Sequence, residues 1–286
     1  MYLLEHDAKE LLAQHGVYVP LGTLIEAGGA IDENALPAGP WVAKAQIAAG
    51  GRGKAGLVRK AATAAEVREL TRAMLGRTVT AKRVDSVRVE QQVSGAEEAY
   101  IGFLIDAAAG GVRVILSERG GVDVESLPHD AIRSETVPAE RHAILAAADR
   151  LTAGMAPHKA SALRAAAANL ASVFLEREAV LIEINPLFVR SDGTWLAGDA
   201  KIVTDDNALE RQPALRKLLE SRAAAYPEAA LKLDHGFDYV VVDPEGEIGL
   251  LTTGAGLSMM LIDELRAAGM NPFNFLDIRT GGLRGR

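Results

Sequence analysis

The sequence contains no cysteine, and this absence excludes several classes of chemistry. A chain without thiols forms no disulfide, thiolate zinc site or Fe–S cluster, and it has no cysteine nucleophile. Its six histidines are scattered without the spacing of metal ligands, and no G-x-S-x-G elbow is present. The sequence therefore offers poor candidates for a nucleophile of its own.

Basic clusters and long apolar runs are also lacking. The net charge is −7, and no run of Lys and Arg indicates nucleic-acid or membrane binding. No apolar segment approaches the roughly 20 residues that span a bilayer, and the first residues lack the basic and apolar regions of a signal peptide. With 286 residues, 49% of them hydrophobic, we expect a soluble, cytoplasmic protein of two domains that binds neither nucleic acid nor membrane.

Hydrophobic periodicity divides the first 230 residues into helices and strands. Helical patterns cover residues 5–15, 64–75, 139–176 and 207–230. Gly154 and Pro157 interrupt the third of them. Strand patterns cover residues 41–47, 57–60, 87–93, 99–105, 111–116, 181–187 and 196–202.

The last two strand patterns, 181–187 and 196–202, predict a β-hairpin. Between them, a Ser-Asp-Gly turn signal occupies residues 191–193. Pro186 lacks a backbone N–H for the sheet, so it predicts an edge strand or a bulge at that point.

A hairpin centred on the turn places Asn185 opposite Asp199 and Glu183 opposite Lys201, with all four on one face because side chains alternate along a strand. The other face is apolar and carries Ile182, Ile184, Ala200 and Ile202. Oxygen ligands on such a face suit Mg²⁺, which takes one or two carboxylates together with phosphates and water. The alternative is cross-strand charge pairing on an exposed face, which stabilises a sheet by about 0.2–1 kcal/mol per pair.

A glycine-rich loop follows the strand pattern at 41–47. Residues 51–56 match G-x-G-x-x-G formally, but a strand pattern follows them where the dinucleotide fingerprint requires a helix. Lys54 is followed by alanine, which excludes a Walker A motif. Backbone N–H groups of such a loop can approach phosphate oxygens, and Lys44 and Arg52 can supply positive charge. The alternative is an ordinary mobile loop.

Two further stretches have candidate ligand groups. The acidic segment 94–98 lies between two strand patterns, where a carboxylate can accept a hydrogen bond from a ribose hydroxyl or can belong to a solvated loop. From residue 238, strand patterns at 239–242, 248–251 and 273–278 and a helix at 257–268 predict a βαβ unit. Its small-residue loop at 252–256 follows a strand end, the usual ligand position in such sheets. Only the beginning of a domain is present here, so we expect a fragment, a naturally short chain or half of a composite domain.

Taken together, these motifs resemble the β subunit of succinyl-CoA synthetase. The resemblance rests on Glu5-His6-Asp7-Ala8-Lys9, Lys44, the run from Ala49 to Gly56, Phe174-Leu175-Glu176-Arg177, the run from Leu181 to Leu187, Asn207-Ala208-Leu209, Arg211-Gln212-Pro213, Gly254-Ala255-Gly256-Leu257 and Asn274-Phe275-Leu276-Asp277. It implies an α+β ATP-grasp fold over residues 1–230, followed over 231–286 by the start of an α/β flavodoxin-like CoA-ligase domain.

The resemblance also implies roles for single residues. It assigns ATP phosphates to Lys44, Gly51, Arg52 and Gly53. It assigns the adenosine side to Glu90 and Glu98, with Val93 at a further nucleotide contact where the residue type differs from the family's. Asn185 and Asp199 match the Mg²⁺ ligands, and Glu183 matches a glutamate that contacts a phosphohistidine.

The implied chemistry needs a partner. In the family, ATP phosphorylates a histidine of an α subunit, the phosphoryl group passes to a small carboxylate, and CoA, bound on the α subunit, displaces it. The subunits are then expected to form a heterodimer or a heterotetramer. The missing nucleophile is explained if the α subunit supplies it.

Departures from the family pattern leave alternatives open. Thr253 stands where the family has an asparagine associated with the acyl substrate, so succinate, malate or another short acid fits equally well. The choice between ATP and GTP is also open. Two other hypotheses are a stand-alone ATP-grasp carboxylate ligase that forms an acyl phosphate, and a non-catalytic nucleotide-binding subunit.

Overall fold

The computed structural model describes residues 1–48, 51–79, 82–121, 128 and 131–278. Ala49 and Gly50 of the predicted glycine-rich loop, and residues 279–286, lie outside the described ranges. The chain divides into two compact units, Met1–Asp205 and Asp206–Arg286. The predicted domain boundary after residue 230 falls within the helix Pro227–His235. The two compact units divide earlier, after Asp205, so residues 206–230 belong to the second unit. The extent of the ATP-grasp domain stays a prediction.

The first unit has four helices and twelve strands among the described residues. The helices are α1 (Glu5–Gln14), α2 (Ala64–Met74), α3 (Arg141–Leu151) and α4 (Pro157–Glu176). The strands are β1 (Gly22–Glu26), β2 (Trp41–Ala45), β3 (Val58–Ala61), β4 (Thr78–Val79), β5 (Lys82–Arg83), β6 (Ser86–Gln91), β7 (Glu97–Asp106), β8 (Gly111–Ser117), β9 (Arg133–Val137), β10 (Ala179–Val189), β11 (Trp195–Ala197) and β12 (Lys201–Thr204).

The first sheet is antiparallel, with strand order β1-β6-β2-β3. One face forms an apolar core that includes Ala43, Ala45, Val87 and Val89, and Val67 of α2 belongs to the same core. Alternation along β2 and β6 then turns Lys44, Arg88 and Glu90 to the other face. The first sheet therefore separates an apolar core from a charged face.

The second sheet has strand order β11-β10-β7-β8-β9, and β12 pairs with β10. Helices α3 and α4 pack against it. Ile182 lies opposite Phe103, and the Phe103 ring meets the Phe174 ring of α4 edge-on with centroids 6.0 Å apart. Strand β9 was not predicted, because four of its five residues are polar and it pairs with β8 alone.

The predicted hairpin register is confirmed on both sides of the turn. Glu183 pairs with Lys201, Leu187 pairs with Ala197, and the Gly198 N–H donates to the Pro186 carbonyl (2.9 Å). A register shift between Ile184 and Leu187 opposite β7 confirms the bulge expected at Pro186. The edge-strand alternative is wrong, because β10 pairs with strands on both of its edges.

The chain start pairs with the second sheet and leads into α1. The Leu3 N–H donates to the Ile202 carbonyl (2.9 Å), and the Thr204 N–H donates to the Met1 carbonyl (2.9 Å). Helix α1 begins two residues after Leu3, and its Lys9 reaches Glu90 on the charged face of the first sheet (2.7 Å). The start of the chain thus connects the two sheets.

The second unit, by itself, contains α5 (Pro213–Ser221), α6 (Pro227–His235), α7 (Ala255–Ala267), β13 (Asp238–Val241) and β14 (Asn274–Asp277). The helical stretch predicted over 207–230 is confirmed, but it is divided. It consists of two 3₁₀ turns and two helices, and each helix starts at a proline, which favours the first helical position.

The strand predicted at 248–251 is also wrong. Only parallel bridges at Ile248–Pro272 and Thr252–Asp277 remain. Between them the Asn274 side chain donates to the Leu250 carbonyl (2.9 Å) and accepts from the Leu250 N–H (3.1 Å). A side-chain amide therefore takes the place of a backbone ladder at this point. Among the described residues of either unit, no helix is long and apolar enough to cross a membrane.

Candidate functional site

The charged face of the first sheet is covered, so its ionised side chains are buried. Lys44 lies opposite Arg88 in the pairing of β2 with β6, and Glu90 follows two residues after Arg88 on the same face. All three are nearly inaccessible to solvent. Burial of charges is costly unless they are paired and hydrogen-bonded, so their partners decide what this face can do.

Helix α1 supplies the covering charges, Glu5 and Lys9, which lie one turn apart on one side of the helix. The Lys9 Nζ lies 2.7 Å from the Glu5 Oε1 and 2.7 Å from the Glu90 Oε2. The Lys44 Nζ lies 2.8 Å from the Glu5 Oε1 and 2.8 Å from the Glu90 Oε1. Both ammonium groups also donate to the Gly198 carbonyl, at 2.8 and 2.6 Å.

Arg88 completes this ion-pair cluster. Its Nε donates to the Glu90 Oε2 (2.8 Å) and its Nη2 donates to the Pro20 carbonyl (2.9 Å). Gly22 lies opposite Glu90 in the pairing of β1 with β6, and a Cβ there would lie 2.8–2.9 Å from side-chain atoms of Glu90 and Arg88. The absence of a side chain at Gly22 leaves room for the guanidinium.

The glycine-rich loop contributes Arg52. Its Nη1 lies 2.7 Å from the Glu5 Oε2, and its Nη2 donates to both carboxylate oxygens of Asp199, at 2.7 and 2.9 Å. The described part of the loop leads into β3, which confirms the predicted context of loop followed by strand. Gly51 and Gly56 have φ values of 72° and 69°, a region that favours glycine. The loop and the hairpin therefore meet at Arg52 and Asp199.

These contacts shift the pKa values of the cluster. Burial raises the pKa of the Glu5 carboxyl, but Lys44, Lys9 and Arg52 outweigh burial and hold that pKa well below its ordinary value. Burial disfavours the charged form of Lys44, and Glu5, Glu90 and Asp199 together raise its pKa above the ordinary value. Lys44 and Glu5 are therefore both ionised at neutral pH.

The polar face of the hairpin is more open. The Asp199 side chain is 34% exposed, and Glu183 is 27% exposed with Lys201 at 3.8 Å. The Asn185 Oδ1 accepts a hydrogen bond from the Gly121 N–H (2.7 Å). The hairpin prediction placed these four residues on one face, and the observed register agrees.

A carboxylate and an amide oxygen are hard donors of the kind that Mg²⁺ prefers. Within the described ranges, no group of three or more His, Cys, Asp and Glu side chains could hold a metal ion. Asn185 and Asp199 together fit an ion that takes its remaining ligands from phosphate and water.

Two tyrosines that sequence reasoning missed lie near Glu183. Gly102 is directly opposite Glu183, and a Cβ at Gly102 would lie 2.7 Å from the Tyr100 hydroxyl, so the Tyr100 ring lies across the glycine. Burial, with a further contribution from the Glu183 charge, raises the pKa of Tyr100. The Tyr2 ring lies 5.6 Å from the Lys201 Nζ. Only the fold, through the pairing of β7 with β10 and the position of the chain start, brings Tyr100 and Tyr2 there.

The other predicted residues lie at three places. Glu90 is buried in the ion-pair cluster, and Val93 follows the end of β6. Glu98 belongs to β7, so the predicted acidic loop is wrong at residues 97–98. The Glu98 carboxylate lies where a Cβ of Gly121 would be, beside the N–H that binds Asn185. Their proposed contacts with adenosine stay predictions.

Thr253, predicted to contact the acid, is exposed in the second unit, two residues before α7 begins. The Gly254 N–H donates to the Asp277 Oδ1 (2.6 Å), which joins the loop to the end of β14.

Comparison with known proteins gives the family. The model of the ATP-grasp domain matches residues 2–189. The chain is 36% identical to the ADP-forming succinate–CoA ligase subunit beta of Pasteurella multocida, over 100% of this chain and 76% of the relative. It is 34% identical to a probable malate–CoA ligase subunit beta of Mesorhizobium japonicum, over 98% of this chain and 74% of the relative.

Solved structures show the same fold. ATP citrate lyase of Methanothrix soehngenii, in complex with citrate and coenzyme A, matches with a TM-score of 0.74 and 20% identity, over 98% of this chain and 72% of that one. A dinucleotide-forming acetyl-coenzyme A synthetase of Ca. Korarchaeum cryptofilum matches with a TM-score of 0.55 and 22% identity, over 71% of this chain and 93% of that one. The expected ATP-grasp fold is confirmed, and the chain belongs to the ATP-grasp family of acid–thiol ligases, among the beta subunits of the ADP-forming succinate–CoA and malate–CoA ligases.

Proposed function

We propose that this chain is the nucleotide-binding β subunit of an ADP-forming acid–CoA ligase, in which Mg-ATP phosphorylates a histidine of a partner α subunit. The observation that carries the proposal is the contact of Arg52 with Asp199, which joins the glycine-rich loop to the hairpin face of Glu183 and Asn185. This contact supports the proposal because it brings the proposed phosphate-binding loop next to a proposed Mg²⁺ ligand.

The phosphates of ATP would bind to Lys44, Arg52 and the backbone of Gly51 and Gly53. Phosphoryl transfer depends on positioning and on offsetting negative charge. Lys44 and Arg52 are both ionised, and both are held by Glu5. Asn185 and Asp199 would hold Mg²⁺, which neutralises phosphate charge when bound. Glu90, Val93 and Glu98 are the proposed contacts on the adenosine side.

Glu183 would orient the imidazole of the partner's histidine. Its carboxylate is partly exposed and shares the hairpin face with the proposed Mg²⁺ ligands. A carboxylate that accepts a hydrogen bond from one imidazole nitrogen leaves the other nitrogen to carry the phosphoryl group.

The acid would be a short carboxylate such as succinate or malate, the two acids in the names of the relatives. Thr253 and the loop that opens α7 are the proposed contact in this chain, since backbone N–H groups at the start of a helix attract carboxylates. CoA would bind to the α subunit, with which this chain would form a heterodimer or a heterotetramer.

The test is transfer of label from γ-labelled ATP, with Mg²⁺, to a co-expressed α subunit. We expect label on an α-subunit histidine, and we expect Asp199→Ala to abolish it. Asp192→Ala is a matched control, because it removes an exposed carboxylate from the turn of the same hairpin. ATP binding without transfer would favour a non-catalytic subunit. Acid-dependent release of phosphate without any labelled histidine would favour a stand-alone ligase that forms an acyl phosphate.

A further inference from the structure

The buried charges of α1 are not among the residues proposed to bind ATP, Mg²⁺ or the partner's histidine. The Glu5 and Lys9 side chains are 1% and 0% exposed. Burying an ion pair often stabilises a fold no better than apolar residues of similar volume. The presence of two buried ions at this place, next to Lys44 and Arg52, therefore points to a task other than stability.

Glu5 contacts both cations that are proposed to bind phosphate. Its Oε1 lies 2.8 Å from the Lys44 Nζ, and its Oε2 lies 2.7 Å from the Arg52 Nη1. Lys44 is on β2 and Arg52 is on the following loop, where the Arg52 Nη1 also donates to the Ala45 carbonyl (3.2 Å). The carboxylate of Glu5, which belongs to α1, contacts both of these cations.

Lys9 contacts the carboxylates of both Glu5 and Glu90. Its Nζ lies 2.7 Å from both the Glu5 Oε1 and the Glu90 Oε2. It also donates to the carbonyl of Gly198 (2.8 Å), the residue before Asp199. Lys9 thus connects α1 with β6 and with the chain just before the proposed Mg²⁺ ligand.

We propose that Glu5 and Lys9 are positioning residues for phosphoryl transfer. Glu5 sets the places of the Lys44 ammonium and the Arg52 guanidinium, and Lys9 keeps Glu5 and Glu90 where they are. The inference rests on the proposed function, since it assumes that Lys44 and Arg52 bind phosphate. It predicts that disturbing Glu5 or Lys9 slows transfer more than it weakens ATP binding.

Glu5→Gln is the most direct variant. The amide would place an N–H₂ group against the donors of Lys44 or Arg52, and one of them must move. Positive charge in the cluster rises, so ATP affinity should stay within about threefold. Small misplacements at a reacting centre cost on the order of 10²-fold in rate, and we expect a loss of about that size in single-turnover phosphorylation of the α subunit.

Two further variants distinguish three causes of slow transfer, which are misplaced side chains, altered net charge and misfolding. Lys9→Met changes no residue that is proposed to bind phosphate, but it releases Glu5 and Glu90, and it should slow transfer by about tenfold. The double variant Glu5→Gln, Lys9→Met removes one negative and one positive charge. A role in charge balance alone predicts that the double variant regains the rate, whereas positioning predicts that it stays slow. Gln14→Ala, at the exposed end of the same helix, is the control that should change nothing.

ATP binding is measured by isothermal titration calorimetry on the full chain, and folding by thermal unfolding. Slow transfer with unchanged ATP affinity, in variants that fold, supports the proposal. Variants that transfer at the wild-type rate, or that lose ATP affinity alone, overturn it while the proposed function stands. If Glu5→Gln does not fold, Lys9→Met and the double variant decide. A wild-type chain that binds no ATP overturns the proposed function and this inference with it.

Discussion

The Arg52 Nη2 lies 2.7 and 2.9 Å from the two carboxylate oxygens of Asp199. The residue that is proposed to bind phosphate is therefore the direct partner of the residue that is proposed to bind Mg²⁺. A guanidinium and a divalent cation cannot both take the same carboxylate oxygens. Phosphate binding by Arg52 would release Asp199, so the binding of nucleotide and of metal should be coupled.

Removing Arg52 should strengthen binding of a divalent cation to the chain alone. Hydrogen bonds to charged groups contribute about 1.5–3 kcal/mol, so Arg52→Gln should raise the affinity for Mn²⁺ roughly tenfold. Electron paramagnetic resonance of free Mn²⁺ measures this without nucleotide. Arg59→Gln, an exposed arginine of β3, should leave the affinity unchanged. An equal Mn²⁺ affinity in wild type and Arg52→Gln would refute the competition.

Glu183→Gln should separate ATP binding from transfer. The amide retains the size of the side chain but loses the charge that would orient an imidazole. We expect ATP affinity to be unchanged and phosphorylation of the α subunit to slow by about 10²-fold. Rapid-quench single-turnover assays measure the rate, with Glu97→Gln as the control carboxylate, since Glu97 pairs with Lys159 instead. Identical rates would remove Glu183 from the mechanism.

Gly121→Ala should disturb the Asn185 ligand. Gly121 has φ 71°, and an added Cβ would collide with the Glu98 carboxylate. The collision would displace the Gly121 N–H, which donates to the Asn185 side chain. Gly110→Ala is a close control, because Gly110 has φ 66° and a Cβ there meets nothing within 4 Å. Both substitutions should cost about 1–2 kcal/mol of stability. Only Gly121→Ala should weaken Mg²⁺-dependent ATP binding, which calorimetry measures. Equal ATP affinities of Gly121→Ala and Gly110→Ala would contradict the role of the Gly121 N–H.

The pH dependence of stability should report on Glu5. Its pKa is lower in the folded chain than in the unfolded chain. Its contribution is therefore complete above the ordinary carboxyl pKa of about 4.5 and is lost as the pH falls toward the depressed value. As the pH falls below about 4.5, the free energy of unfolding of the wild type should decrease more steeply than that of Glu5→Gln.

Urea unfolding at several pH values measures this difference. Both tryptophans, Trp41 and Trp195, lie in the first unit, so their fluorescence follows that unit alone. Parallel pH profiles of wild type and Glu5→Gln would show that the neighbouring cations do not lower the pKa of Glu5.

Sequence reasoning predicted the hairpin correctly, with Glu183 opposite Lys201. The reason is local, because a period of two residues and one turn position determine which side chains share a face. The loop before β3 was predicted for the same kind of reason. The strand predicted at 248–251 is wrong, because the side chain of the distant Asn274 takes the place of its ladder.

By itself, then, the sequence determined the local elements and the residues that they turn to one face. Only the tertiary structure decided that Lys9 meets Glu90 and that Arg52 meets Asp199. These pairs lie far apart along the chain, and no periodicity encodes them. They form because the fold buries Lys9, Glu90 and Arg52, and a buried ion without an opposite charge would cost several kcal/mol.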